Sequence, residues 1–90
     1  MNLRARIEVT GMVQGVGYRY FVRKQALRHG IKGWVRNRSD GSVEILAEGE
    51  ARAVERLLQD CRRGPELSHV DGIHVAWEDY TGNVSTDKCT

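Results

Sequence analysis

This chain is short of cysteine, proline, long apolar runs and net charge, and each shortage narrows what it can be. Two cysteines, Cys61 and Cys89, do not make a disulfide framework, and their separation is not zinc-ligand spacing. With a single proline, Pro65, no linker or low-complexity tract interrupts the sequence. No apolar run approaches the roughly 20 residues of a membrane-spanning helix. The opening Met1-Asn2-Leu3-Arg4-Ala5-Arg6 runs straight into alternating charge instead of the apolar segment of a signal peptide, so the expected location is cytoplasmic. A net charge of +2 is too small to imply a nucleic-acid partner by itself. His29, His69 and His74 have no helical ligand spacing, so they indicate no metal site.

What is present is ordinary for a soluble globular protein: 40% apolar and 29% charged residues in a chain of 90. That length suits one domain, residues 1–90, built as a two-layer core, with a weakly patterned tail over 81–90. Cys61 falls at helical spacing with Val54, Leu57 and Leu58 and reads as a buried reduced thiol. Cys89 lies in the polar tail and reads as an exposed free thiol. A bridge between the two is geometrically open but has no support in the sequence.

Leu3, Ala5, Ile7 and Val9 alternate with Arg4, Arg6, Glu8 and Thr10, the period of a strand with one buried face. A glycine-rich loop over 11–17 ends it. Residues 18–29 carry helix formers, with Tyr18, Val22 and Ala26 at i, i+4, i+8, Phe21 beside that stripe, and Gly30 as the stop. Lys32 to Arg38 reads as a short strand, with Gly33, Val35 and Asn37 on one face and Trp34 and Arg36 on the other. Ser39-Asp40-Gly41 is a turn, and Ser42 to Glu48 returns with Val43, Ile45 and Ala47 facing inward. A second helix runs from about Glu50 to Arg63, its stripe Val54, Leu57, Leu58 and Cys61, closed by Gly64-Pro65. Val70 to Tyr80 forms the last long strand, with Ile73, Val75 and Trp77 alternating.

The order strand–helix–strand–strand–helix–strand predicts an α+β, ferredoxin-like βαββαβ sandwich. Two helices cover one face of an antiparallel-rich mixed sheet of four to five strands. In such a split βαβ unit the first two strands run the same way with the third between them. The loop after the first strand and Asn37 at the end of the second should then share one sheet edge. Asn37 should lean toward the helix-bearing face, near Arg19.

The loop itself, Gly11-Met12-Val13-Gln14-Gly15-Val16-Gly17-Tyr18-Arg19, is suited to an anion. Three glycines let the backbone turn sharply, and its N–H groups can converge with those opening the next helix. Arg19 follows in the first helical turn with a planar fork of donors matched to phosphate oxygens. The loop is not a Walker A motif, since no Gly-Lys-Ser/Thr follows, and it lacks the last glycine of a dinucleotide fingerprint.

Gly11-x-Val13-Gln14-Gly15-Val16-Gly17-Tyr18-Arg19 and Gly33-Trp34-Val35-Arg36-Asn37-x-x-Asp40-Gly41-Ser42-Val43 resemble, in sequence and spacing, the two signature segments of acylphosphatases. The resemblance extends from about residue 3 to Gly82, taking in Glu48-Gly49 and Tyr80-Thr81-Gly82. It implies hydrolysis of the carboxyl–phosphate bond of small acyl phosphates, without metal or cofactor, by a monomer acting on a small molecule rather than nucleic acid or membrane. It implies that the backbone of Val13, Gln14, Gly15, Val16, Gly17 and Tyr18, with Arg19, holds the phosphate, and that Asn37 positions the attacking water. One departure is visible. Family members finish with a further short strand, roughly Asp-Phe-x-Ile/Val, whereas this chain ends Val84-Ser85-Thr86-Asp87-Lys88-Cys89-Thr90. That edge strand is expected to be weak or frayed.

Two alternatives share the fold. An RNA-recognition module needs stacking aromatics on its central strands, and neither the first strand nor 42–48 contains one. A non-catalytic acyl-phosphate-binding domain, of the kind found inside larger carbamoyl-transfer proteins, would keep the same loop; the chain's length suits an independent enzyme better.

Overall fold

The computed structural model describes residues 1–84 and contains six elements. They are β1 (Asn2–Met12), α1 (Tyr18–Arg28), β2 (Lys32–Asn37), β3 (Val43–Glu50), α2 (Ala51–Arg63) and β4 (His69–Glu78). The βαββαβ order is the expected one. The strands line up as β2-β3-β1-β4, and every neighbouring pair is antiparallel. Among the described residues the sheet is therefore antiparallel rather than mixed, because β3 separates β1 and β2, which run the same way. The expected fifth strand, and Cys89, fall at positions outside the described residues.

Strand register organises the core. One face of the sheet carries the rows Gly33–Ala47–Ala5–Trp77, Val35–Ile45–Ile7–Val75 and Asn37–Val43–Val9–Ile73, in the order β2, β3, β1, β4. Tyr18 and Val22 of α1 and Val54, Leu57, Leu58 and Cys61 of α2 pack on these rows in one apolar cluster, so both helices lie on this face. α2 shows the stripe its spacing demands, all four predicted positions being buried. On α1 the buried positions are Tyr18, Val22 and Gln25, with Ala26 half-buried, so the stripe is rotated slightly from the expected line. Truncating a wholly buried side chain such as Leu57 removes roughly 2–5 kcal/mol, a large part of a small domain's stability. The Cys61 thiol is free, and burial pushes it up to about 12, so it stays protonated and inert.

Among the described residues no helix covers the opposite face, which is filled by ion pairs. Arg4 donates to Glu48 (3.0 Å) and Glu78 (2.8 Å), Arg6 to Glu44 (2.9 Å) and Glu78 (2.8 Å), and Arg36 to Glu44 (2.8 Å). Trp34 on β2 lies beneath the guanidinium groups of Arg36 and Arg6, 4.7 and 5.8 Å from its ring centre. Glu44 and Glu48 lie on this face, opposite the inward-facing Val43, Ile45 and Ala47, yet both are buried. Exposed ion pairs contribute about 0–1 kcal/mol each, but a buried carboxylate that loses its partners is far more costly. Burial alone would push both carboxyls up. For Glu44, hydrogen bonds from Arg36 and Arg6 outweigh it and hold the group below its ordinary value of 4.5. For Glu48, the Thr81 backbone N–H and the Arg4 guanidinium do the same.

A carboxylate whose folded-state pKa is depressed contributes stability that is complete above the unfolded-state value and lost as pH falls through the folded one. The protein is therefore expected to hold constant stability toward neutral pH and to lose it below about pH 4.5. Urea unfolding at pH 6 and pH 3.5 measures this loss, which should be smaller in Glu48→Gln.

Candidate active site

β1 ends in a tight approach to β4. The register of that pair shifts between Thr10 and Gly11, and a Cβ on Gly11 would lie 2.2 Å from the carbonyl oxygen of His69. Only glycine is accommodated there, and the bulge re-aims the chain out of the sheet into the loop. Strand pairing thus reaches Met12, two residues beyond the alternating pattern, and the loop proper is residues 13–17.

That loop is fixed by its side chains and open along its backbone. Val13 and Tyr18 are buried and Val16 packs against the core, whereas Gly15 and Gly17 between them are exposed. Both glycines have left-handed backbone, φ 73° and 81°, in open space. The turn requires their conformation rather than their small size. The Tyr18 hydroxyl donates to the Cys61 carbonyl oxygen at 2.7 Å, tying the start of α1 to the end of α2. Burial drives the pKa of this phenol upward, so the hydroxyl keeps its proton and remains a donor.

Gly17 is the N-cap of α1 and offers no side chain to cap the helix, whose first turn holds no acidic residue. The N–H groups that open an α-helix need a partner and carry the positive end of the helix dipole. Exposed glycine backbone leading into a helix N-terminus is the kind of segment whose N–H groups can bind an anion. Arg19, the second residue of α1, is half-buried beside them.

Asn37 is the last residue of β2 and is exposed. It pairs with Val43, which pairs in turn with Val9 on β1. Asn37 and Val9 therefore stand in one row, two strand spacings or about 10 Å apart. Both belong to the helix-bearing face, because Val35, two residues earlier, is in the core. The β1 loop and Asn37 leave the sheet at the same edge, as the topology predicts. The turn that follows is closed by an Arg38 N–H to Ser42 oxygen bond of 2.8 Å. Asp40 accepts from the Ser42 N–H and hydroxyl at 2.9 and 2.6 Å, and these bonds hold its carboxyl below the usual range.

Two connections were not legible in the sequence. The Gln14 side-chain amide donates to the carbonyl oxygens of Arg38 and Ser42 at 2.8 and 2.9 Å, joining the loop to the turn after Asn37. Glu48 accepts from the N–H groups of Thr81 and Gly82 at 2.9 and 3.0 Å. That contact explains why Glu48-Gly49 and Tyr80-Thr81-Gly82 belong to one pattern. A groove of about 620 Å³ between α1 and the β2 edge, walled by Leu27, Ile31 and Val35, includes none of residues 11–19. A shallower depression at the tip of β2 takes in Asn37 and Arg38.

Comparison with known proteins agrees with this fold. The family model described as Acylphosphatase matches residues 5–88. A protein named Acylphosphatase from Pelotomaculum thermopropionicum is 48% identical over 85 residues, 94% of this chain and 92% of that one. The crystal structure of acylphosphatase from Bacillus subtilis superposes with a TM-score of 0.89 at 42% identity, covering 93% of each chain. Full-length HypF, in a phosphate- and nucleotide-bound form, matches with a TM-score of 0.88 at 31% identity; this chain corresponds to 12% of its length.

Proposed function

The chain belongs to the acylphosphatase family, and from that premise we propose how its own residues hydrolyse a small acyl phosphate. The backbone N–H groups of residues 13–18 and the Arg19 guanidinium hold the phosphoryl oxygens. The Asn37 carbonyl oxygen accepts a hydrogen bond from the attacking water. The water oxygen bonds to phosphorus as the bond from phosphorus to the acyl oxygen breaks, and the acyl group leaves as carboxylate. A carboxylate is a good leaving group, so no strong general acid is required. Asn37 is not a base at neutral pH, and the water's proton passes to a phosphoryl oxygen. What remains for the protein is positioning and charge stabilisation, the larger share of phosphoryl-transfer catalysis in general.

The observation that carries this reading is the shared edge: the glycine loop, α1's N-terminus and Asn37 come together where β1 and β2 end. The reaction is metal-independent on this reading, and among the described residues no group of three His, Cys, Asp or Glu is placed to hold an ion. The enzyme acts as a cytoplasmic monomer without nucleic-acid or membrane partners. Among the described residues, no helix is long and apolar enough to cross a membrane. The central strands β3 and β1 carry no aromatic residue, and their open face is occupied by ion pairs, which argues against an RNA-binding module.

Hydrolysis of benzoyl phosphate with EDTA in excess tests the metal-free mechanism. Turnover should be unchanged by the chelator; a loss restored by added divalent cation would overturn it.

A further inference from the structure

Gln14 has a second role besides its place in the loop backbone. Its side-chain nitrogen faces two carbonyl oxygens, those of Arg38 and Ser42, at 2.8 and 2.9 Å. Both partners are acceptors only, so the amide orientation is settled by chemistry, with each of its two protons directed at one oxygen. These carbonyls already close the β2–β3 turn: the Arg38 oxygen accepts from the Gly41 N–H at 3.2 Å and the Ser42 oxygen from the Arg38 N–H at 2.8 Å. One planar group therefore grips both ends of a turn that begins one residue after Asn37. Its own backbone is held between the buried Val13 and the turn at Gly15.

We propose that Gln14 is a positioning residue for hydrolysis, fixing the distance between the phosphate-holding loop and Asn37. This rests on the roles assigned above to the loop, Arg19 and Asn37. The loop and Arg19 are continuous in sequence, whereas Asn37 stands at the end of a different strand. The gap between loop and turn is spanned by the Gln14 amide. Water attack requires the water carried by Asn37 to meet phosphorus in line, whereas phosphate binding requires only the loop and Arg19. A displacement of about 1 Å between the two groups can cost on the order of 100-fold in rate. Loosening the clamp therefore lowers turnover and leaves phosphate affinity largely in place.

The test measures kcat for benzoyl phosphate and competitive inhibition by inorganic phosphate in Gln14→Met, Asn37→Ala and the double variant. Gln14→Met keeps the length and loses both donors. It should lose roughly 10–100-fold in kcat with the phosphate inhibition constant little changed. In the Asn37→Ala background the same substitution should cause almost no further loss, because the residue it positions is gone. Gln14→Lys returns a donor to the two carbonyls and should recover part of kcat. Gln14→Glu, a carboxylate set against two carbonyl oxygens, should recover none and replaces Gln14→Met in the cycle if that variant does not fold. Wild-type kcat in a donor-less variant, multiplicative losses in the double variant, or equal losses with lysine and glutamate would each overturn the inference. Wild-type kcat in Asn37→Ala would overturn the parent reading, and this inference with it.

Discussion

Arg19→Lys is expected to lower kcat/KM for benzoyl phosphate by about 100- to 1,000-fold, the scale of removing one preorganised donor from a developing oxyanion. Arg19 stands in the first turn of α1, next to a helix N-terminus with no side-chain cap. Lysine preserves the charge but loses the planar fork that meets two oxygens together. Arginine and lysine have nearly equal helix propensity, so the substitution does not disfavour the helix itself. The thermal midpoint of Arg19→Lys should be close to that of the unaltered protein. Arg19→Ala should be less active still, with weaker inhibition by phosphate. Near-normal turnover in a folded Arg19→Ala would remove Arg19 from the mechanism.

Asn37→Ala should separate binding from turnover. The side chain is exposed at the end of β2, which is an edge strand among the described residues, so its loss should leave stability within about 0.5 kcal/mol. If its carbonyl positions water, kcat falls by roughly 100-fold while phosphate inhibition is retained. A collapse of phosphate affinity would instead make Asn37 a binding residue. The two variants thus divide the site in two. Arg19→Ala should lower affinity and turnover together, whereas Asn37→Ala should lower turnover alone.

Backbone rules bring the glycine loop and Asn37 to one edge, whereas the roles expected of Arg19 and Asn37 come from the resemblance to the acylphosphatase signature segments. Alternation in β1 and the i, i+3, i+4, i+7 stripe of α2 each leave one way to bury apolar surface. With the elements known, the direction of the strands brings the loop and Asn37 to one edge. Side-chain pairing has no such rule. Glu44 and Glu48 occupy the polar positions of an alternating strand, and nothing in that alternation shows that the arginines at 4, 6 and 36 lie close enough to neutralise and bury them. Trp77 shares the parity of Ile73 and Val75, yet it is 55% exposed on the edge strand β4. Parity says which face a residue takes, not how far the helices cover that face. Gln14 was read for its backbone alone. A side-chain amide that grips two carbonyl oxygens far along the chain leaves no pattern of residue types behind it.

Titration of the ¹⁵N-labelled protein with inorganic phosphate asks most directly whether the loop holds the phosphoryl group. The amide signals of residues 13–19 should shift together, saturably and with one dissociation constant, and the Arg19 side-chain signal should move with them. Shifts confined to the groove between α1 and β2, or saturable binding that leaves the amides of 13–18 unmoved, would place the phosphate elsewhere and contradict the cradle.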